Sequence, residues 1–220
     1  MSIFTAGANP QLYLMRLIAL VIAFTVHEFF HGYAAYRLGD HTAKFDGRLS
    51  LNPARHLDPI GTLLIILFGF GWAKPVMFNP YNLRNIRRDT AILAAAGPLS
   101  NFVMAFIGTF IYVGLVLFGH GSIMFALTTF MAVFVSLNIM LGVFNLIPIP
   151  PLDGSKILAV FLPKHLYFRY VNFRYGFMLL MVLVIVGAFS IIVGPITGGI
   201  MDLYLSIVLR VFSLFVPIAF

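Results

Sequence analysis

Two histidines and a glutamate stand together in the first apolar stretch of the chain: His27, Glu28 and His31, in the order His-Glu-Phe-Phe-His. On a helix, residues four apart lie about 40° apart around the axis. Both imidazoles therefore face one way and can reach one ion. A glutamate beside the first of them is placed to act as general base on a water that the ion activates. Glu28 is also the only glutamate among 220 residues. A carboxylate at bilayer depth costs at least about 2.5–3.5 kcal/mol on insertion scales. Metal ligation accounts for all three polar groups; the alternative is two interfacial histidines and a paired acid.

Two histidines do not complete a catalytic zinc site, which takes three protein ligands and leaves the fourth position to water. The chain has no cysteine, so the third ligand must be His, Asp or Glu. Asp153 is the strongest candidate. It ends the stretch from Asn145 to Gly154, Asn-Leu-Ile-Pro-Ile-Pro-Pro-Leu-Asp-Gly. Pro148, Pro150 and Pro151 remove backbone donors and favour extended geometry. Broken backbone near membrane depth is tolerated where it is buried in protein or lines a wet cavity. The alternative is an exit loop in which Asp153 caps a helix over 154–162.

The composition says what must carry these groups. The chain is 61% apolar and 10% charged, with a mean hydropathy of +1.00. Soluble domains run at about 45–50% and about 25%. A soluble enzyme, a nucleic-acid reader and a disordered tail are excluded, leaving an all-α integral membrane protein. Spans of about 20 apolar residues are expected at 11–38, 90–118, 123–147, 175–195 and 198–218. The run 59–71 covers only roughly 20 Å as a helix, so it is expected to be re-entrant or interfacial. Small β-strands could form near 45–55.

Charge sets the expected orientation. Arg37, Lys44, Arg48 and Arg55 precede the short run, and Lys74, Arg84, Arg87 and Arg88 follow it. If the run dips and returns, both basic loops face the cytoplasm, as the positive-inside rule prefers. Lys156, Lys164, Arg169 and Arg174 join them. The net charge of +7 then marks topology, not nucleic-acid binding. The first ten residues lack Lys and Arg, so the first apolar segment is expected to be retained and not cleaved as a signal peptide. The expectation is a multi-pass protein of the cell membrane with five spans, N-terminus outside and C-terminus cytoplasmic. Residues 1–220 are read as one domain, with a catalytic core at about 11–162 and additional helices at 175–220. The oligomeric state is not set by the sequence.

His27-Glu28-x-x-His31 in an apolar helix, followed by Asn145…Pro-Pro-Leu-Asp153-Gly154, resembles the site-2 protease family of intramembrane zinc metalloproteases. The intervening segments resemble its compact members: Gly39-Asp40, Gly47 to Pro53, His56 to Thr62, Trp72 to Val76 and Ala96 to Asn101. The resemblance covers about residues 20–162. It implies one zinc ion per chain, held by His27, His31 and Asp153, with Glu28 as general base and Asn145 touching substrate or the oxyanion. PDZ and CBS appendages have no room in this length.

The expected reaction is hydrolysis, by zinc-activated water, of peptide bonds within or beside transmembrane segments of membrane-protein substrates. The Pro-rich strand and the loop near 45–55 could pair with an unwound substrate. The active site is expected within the membrane, toward the cytoplasmic side. The alternative is a zinc-binding membrane transporter or sensor without proteolysis; the chain lacks the internal repeat such transporters often carry. His41, His56, His120 and His165 are read as surface histidines in loops. Gly97, Pro98 and Asn101 are read as helix-packing residues; the alternative is a site-supporting hydrogen bond from Asn101. Asp202 is assigned no role.

Overall fold

A computed structural model describes residues 9–68, 74–173 and 175–216. Its described residues form nine α-helices and no strand. Helix α1, Pro10–Arg37, is started by Asn9, whose side chain accepts the N–H groups of Gln11 (3.0 Å) and Leu12 (3.3 Å), with Pro10 at the first helical position. It stops where Gly39 takes φ 106°, a left-handed value that a side chain would resist. Helix α2, Thr42–Phe45, is one turn, and α3 is Pro59–Phe68. Helix α4, Ile86–Phe118, opens on Asn85, which accepts the Arg88 N–H at 3.1 Å while Asp89 accepts the Asn85 N–H at 2.9 Å. Then follow α5 (Gly121–Asn145), α6 (Asp153–Ala159), α7 (Lys164–Val171), α8 (Gly176–Ile185) and α9 (Ala188–Ser213).

Helices α1, α4, α5 and the Ile191–Ser213 part of α9 are long and apolar enough to cross a membrane; α7 and α8 together would count as a fifth, bent span. In lipid, apolar burial does not drive helices together, so close approach through small residues matters. Ala19, Ala23 and Ala105 are fully buried. The Phe102 ring lies 3.0 Å from where a Cβ on Gly142 would sit. Outward, Leu14, Ile18 and Ile22 make an exposed ridge at four-residue spacing on α1, as a lipid-facing surface requires.

The last expected break is misplaced. Helix α9 runs unbroken through Gly194, Pro195, Gly198 and Gly199, and the chain turns instead at Gly187, with φ 72°. Glycines that meet nothing and one proline do not end a helix; a left-handed residue does.

The direction of α9 follows from its ring contacts. Tyr204 of α9 meets Phe106 of α4, and Phe212 meets Phe110 and Phe118. Helix α9 therefore runs in the same direction as α4. Helix α1 runs against α4, since His31 pairs with Leu93 and His27 with Asn101. Pro10 and Ser213 thus lie at the same end of the bundle. The long basic loops lie at the other.

The strands expected near 45–55 are also absent among the described residues. Asp46 and Arg48 donate back to the carbonyls of Thr42 and Ala43 at 3.0 and 2.8 Å. The Asn52 side chain then starts a 3-10 turn over Pro53–Arg55. The segment's hydrogen bonds close locally and leave no partner strand. Of the expected short run 59–71, residues 59–68 are helix α3 and the remainder, with Trp72 and Ala73, lies outside the described residues. The ten residues of α3 span about 15 Å, too short to cross a bilayer.

Asp40 holds this loop region together. It is fully buried and accepts from the Thr42 hydroxyl (2.6 Å), the Asn82 amide (2.8 Å) and the Asn79 N–H (2.8 Å). Burial pushes its carboxyl up, but the hydrogen bonds from Thr42, Asn82 and Asn79 outweigh burial and hold it below the ordinary value. Its stabilising effect is therefore full above the unfolded carboxylate pKa near about 3.9 and is lost as pH falls through the lower folded value. Asp40→Asn sets an amide N–H against backbone N–H donors. It is expected to lower stability at pH 7 by about 2 kcal/mol and to flatten the acid limb of the stability profile, as read by thermal unfolding in detergent from neutral to acid pH.

Candidate metal centre

His27 and His31 are one turn apart on α1, both buried, with their rings edge to face at 4.6 Å. Each Nδ1 is engaged by a fixed acceptor. His31 Nδ1 lies 2.8 Å from the Leu93 carbonyl, and His27 Nδ1 lies 2.6 Å from Asn101 Oδ1. The Asn101 amide is oriented in turn: its nitrogen donates to Asn138 Oδ1 at 3.0 Å and to the Ala23 carbonyl at 3.3 Å. With a proton on each Nδ1, the Nε2 lone pairs are left bare and pointed at one another.

They converge on Asp153, the first residue of α6. The distances are 3.0 Å between the two Nε2 atoms, 3.2 Å from His27 Nε2 to Asp153 Oδ2, and 3.0 Å from His31 Nε2 to the same oxygen. Three buried acceptors this close repel unless a cation lies among them. A tetrahedral zinc with bonds of about 2.0 Å separates its ligand atoms by about 3.3 Å, so the donor set fits that ion. The other oxygen, Oδ1, accepts from Lys156 Nζ at 3.1 Å.

Local sequence explains why Asp153 arrives here. The chain leaves α5 through Pro148, Pro150 and Pro151, with a cis peptide between the last two. It folds back so tightly that a Cβ on Gly154 would strike the Leu146 carbonyl. Gly97 of α4 answers a similar demand from the other side. A Cβ there would lie 2.5 Å from His31 Nε2 and 2.7 Å from His27 Cε1. Gly97 is therefore more than a packing residue: its missing side chain is the room that the imidazoles use.

Glu28 lies beside this triad. Its Oε2 accepts the Val76 N–H at 2.9 Å. Gly32, one turn on, lets Val76 approach α1, its Cγ1 being 3.5 Å from a Cβ placed there. The segment carrying Val76 is fastened at both ends: the Lys74 N–H donates to the His56 carbonyl at 2.8 Å, and the Asn79 N–H donates to Asp40. Asn145 is not brought to the triad; its amide donates back to the Leu141 carbonyl of its own helix at 3.0 Å. His56, expected on the surface, is buried with Nε2 at 2.7 Å from the Ser50 carbonyl. Asp202 is exposed on α9. Asn138 was not singled out by sequence; the available signal was an asparagine in the middle of an apolar span.

Comparison with known proteins agrees in direction. Residues 116–185, from the end of α4 through Asp153 to α8, match the model of Peptidase family M50. The candidate zinc metalloprotease YwhC of Bacillus subtilis (strain 168) is 38% identical over 203 residues, covering 90% of this chain and 92% of that protein. A candidate zinc metalloprotease of Methanocaldococcus jannaschii is 28% identical over 149 residues, 66% of this chain and 70% of that protein. The candidate zinc metalloprotease Rip2 of Mycolicibacterium smegmatis is 27% identical over 184 residues, 81% and 69% of the two chains. No solved structure matches.

Proposed function

The chain belongs to peptidase family M50, the site-2 proteases, and from that premise we propose that it is an intramembrane zinc metalloprotease cutting peptide bonds within or beside transmembrane segments of other membrane proteins. The observation that carries the reading is the triangle of His27 Nε2, His31 Nε2 and Asp153 Oδ2, with edges of 3.0–3.2 Å inside an apolar bundle. These three residues would hold one zinc ion. Bound there, zinc supplies a Lewis acid for the scissile carbonyl and a water acidified to a pKa of about 7.

The chain's own groups supply the rest. Glu28, with Oε2 tied to the Val76 N–H, keeps Oε1 to take a proton from water and pass it to the leaving amine. Asn145 contacts the substrate, exchanging the Leu141 carbonyl for the developing oxyanion. His31 and His27 lie six and ten residues before the end of α1 at Arg37, or about 9 and 15 Å along the axis. The basic loops share that end of the bundle, which this reading turns toward the cytoplasm. Both Pro10 and Ser213 then face outward, and water reaches the site from the cytoplasmic side.

Metal analysis of the purified protein tests the centre. About one zinc per chain is expected in the wild type, and strong loss in His31→Ala and in Asp153→Ala. Membranes of cells carrying His31→Ala should accumulate an uncut single-span protein. Zinc unaffected by either substitution, or identical membrane proteomes, would overturn the reading.

A further inference from the structure

The geometry points to Arg87 as a positioning residue for Asp153, clamping the far end of α6 to the helix that also holds both histidines. The inference rests on the reading of Asp153 as a zinc ligand. Helix α6 has seven residues, too few to be stable alone. Asp153 is at its first position, following a connection in which Pro148, Pro150 and Pro151 have no backbone N–H to give. Its last carbonyls, of Ile157, Leu158 and Ala159, accept the N–H groups of Val160, Phe161 and Leu162 at 3.3, 3.0 and 3.1 Å, so the helix closes in a tightened turn whose own carbonyls come next.

Arg87, from the first turn of α4, meets the carbonyls of that closing turn. One guanidinium nitrogen donates to the carbonyls of Val160 (2.6 Å), Leu162 and, more weakly, Ala159 (3.4 Å). The guanidinium lies 5.3 Å from the ring centre of Tyr167, which is 3% exposed. A cation at a helix C-terminus is also favoured by the helix dipole. One side chain thus joins α4 to the end of α6 and to α7. His27 and His31 are fixed on α1 and against α4, so closing the triangle depends on where α6 is held. Lys156 sets the carboxylate's rotation, and Arg87 sets the position of the helix beneath it. A lysine ammonium can point at the same carbonyls but lacks the planar guanidinium that lies over the Tyr167 ring, so it should serve only in part.

The test uses the absence of cysteine from the chain. Ser155, at 1% exposure in α6, becomes the only thiol in S155C, and its labelling by N-ethylmaleimide in detergent with chelator reads the loosening of α6 without metal. Adding R87Q is expected to speed labelling about tenfold, the scale of one charge-assisted hydrogen bond lost from the closed state, with R87K in between. In parallel, zinc-loaded R87Q without S155C should release its ion to a chromogenic chelator about 10–100-fold faster than wild type. If R87Q does not fold, Y167L, which removes the ring beneath the guanidinium, carries the same two measurements. Labelling at the S155C rate in the Arg87 variants overturns the clamp, whatever happens to zinc. Faster labelling in a protein that never holds zinc leaves the clamp standing and removes the metal reading.

Discussion

Replacing Glu28 by glutamine is expected to leave zinc in place and to slow hydrolysis by about 10²–10⁴-fold. The carboxamide has nearly the shape of the carboxylate, and its oxygen can still accept the Val76 N–H that Glu28 Oε2 accepts at 2.9 Å. The segment around Val76 therefore stays docked on α1. What is lost is the ability to take a proton near neutral pH. His27, His31 and Asp153 keep their mutual distances, because Glu28 is not one of the three converging donors. Zinc content and turnover of a peptide carrying a transmembrane segment, measured on the same detergent-purified sample, decide the matter. Normal turnover with zinc retained would remove Glu28 as the base. Loss of zinc together with turnover would make it a support of the metal centre instead.

Gly97→Ala is expected to act nearly as strongly by a different route. The added carbon would lie 2.5 and 2.6 Å from Nε2 and Cε1 of His31 and 2.7 Å from Cε1 of His27. The rings cannot both stay, and they cannot swing freely, because Leu93 and Asn101 hold their other nitrogens. Overpacking of this kind costs about 1–3 kcal/mol, so the bundle should still fold. The lone pairs, however, would no longer converge. Zinc affinity is expected to fall about 10²-fold, and activity with it, while the thermal unfolding midpoint moves only modestly. A chelator competition on the folded variant measures the first and a melting curve the second. Wild-type affinity in Gly97→Ala would mean that the imidazoles do not pack against α4 as described.

What could be read from the sequence is what is local. His27 and His31 share a face because four residues nearly complete one turn, and the spans announce themselves by hydropathy. Asp153 could be reached by elimination, as an acid in broken backbone when one ligand was lacking. The rest depends on pairings distant in the chain. Nothing in the residues near 28 or 76 says that they meet across 48 positions, nor that Asn101 and Asn138 complete a relay behind His27. Glycine-rich composition suggested a break at Gly194–Gly199, but the helix ends where φ turns positive, at Gly187. The direction of α9 relative to α4 follows from aromatic contacts of Phe212 and Tyr204 with α4. Charge counting could not see them.

Helix α4 touches both histidines and the end of α6: Leu93, Gly97 and Asn101 follow one another at four-residue steps, and Arg87 lies a turn and a half earlier. Each residue added to a helix turns all that follows by about 100° and shifts it by about 1.5 Å. Inserting or deleting one residue between Arg87 and Leu93 would leave α4 a long apolar helix, yet it could not serve both α6 and the histidines. Substitutions elsewhere on α4 change one contact at a time, while a change of length here breaks several together. For this stretch the spacing is as much a part of the candidate metal centre as any side chain.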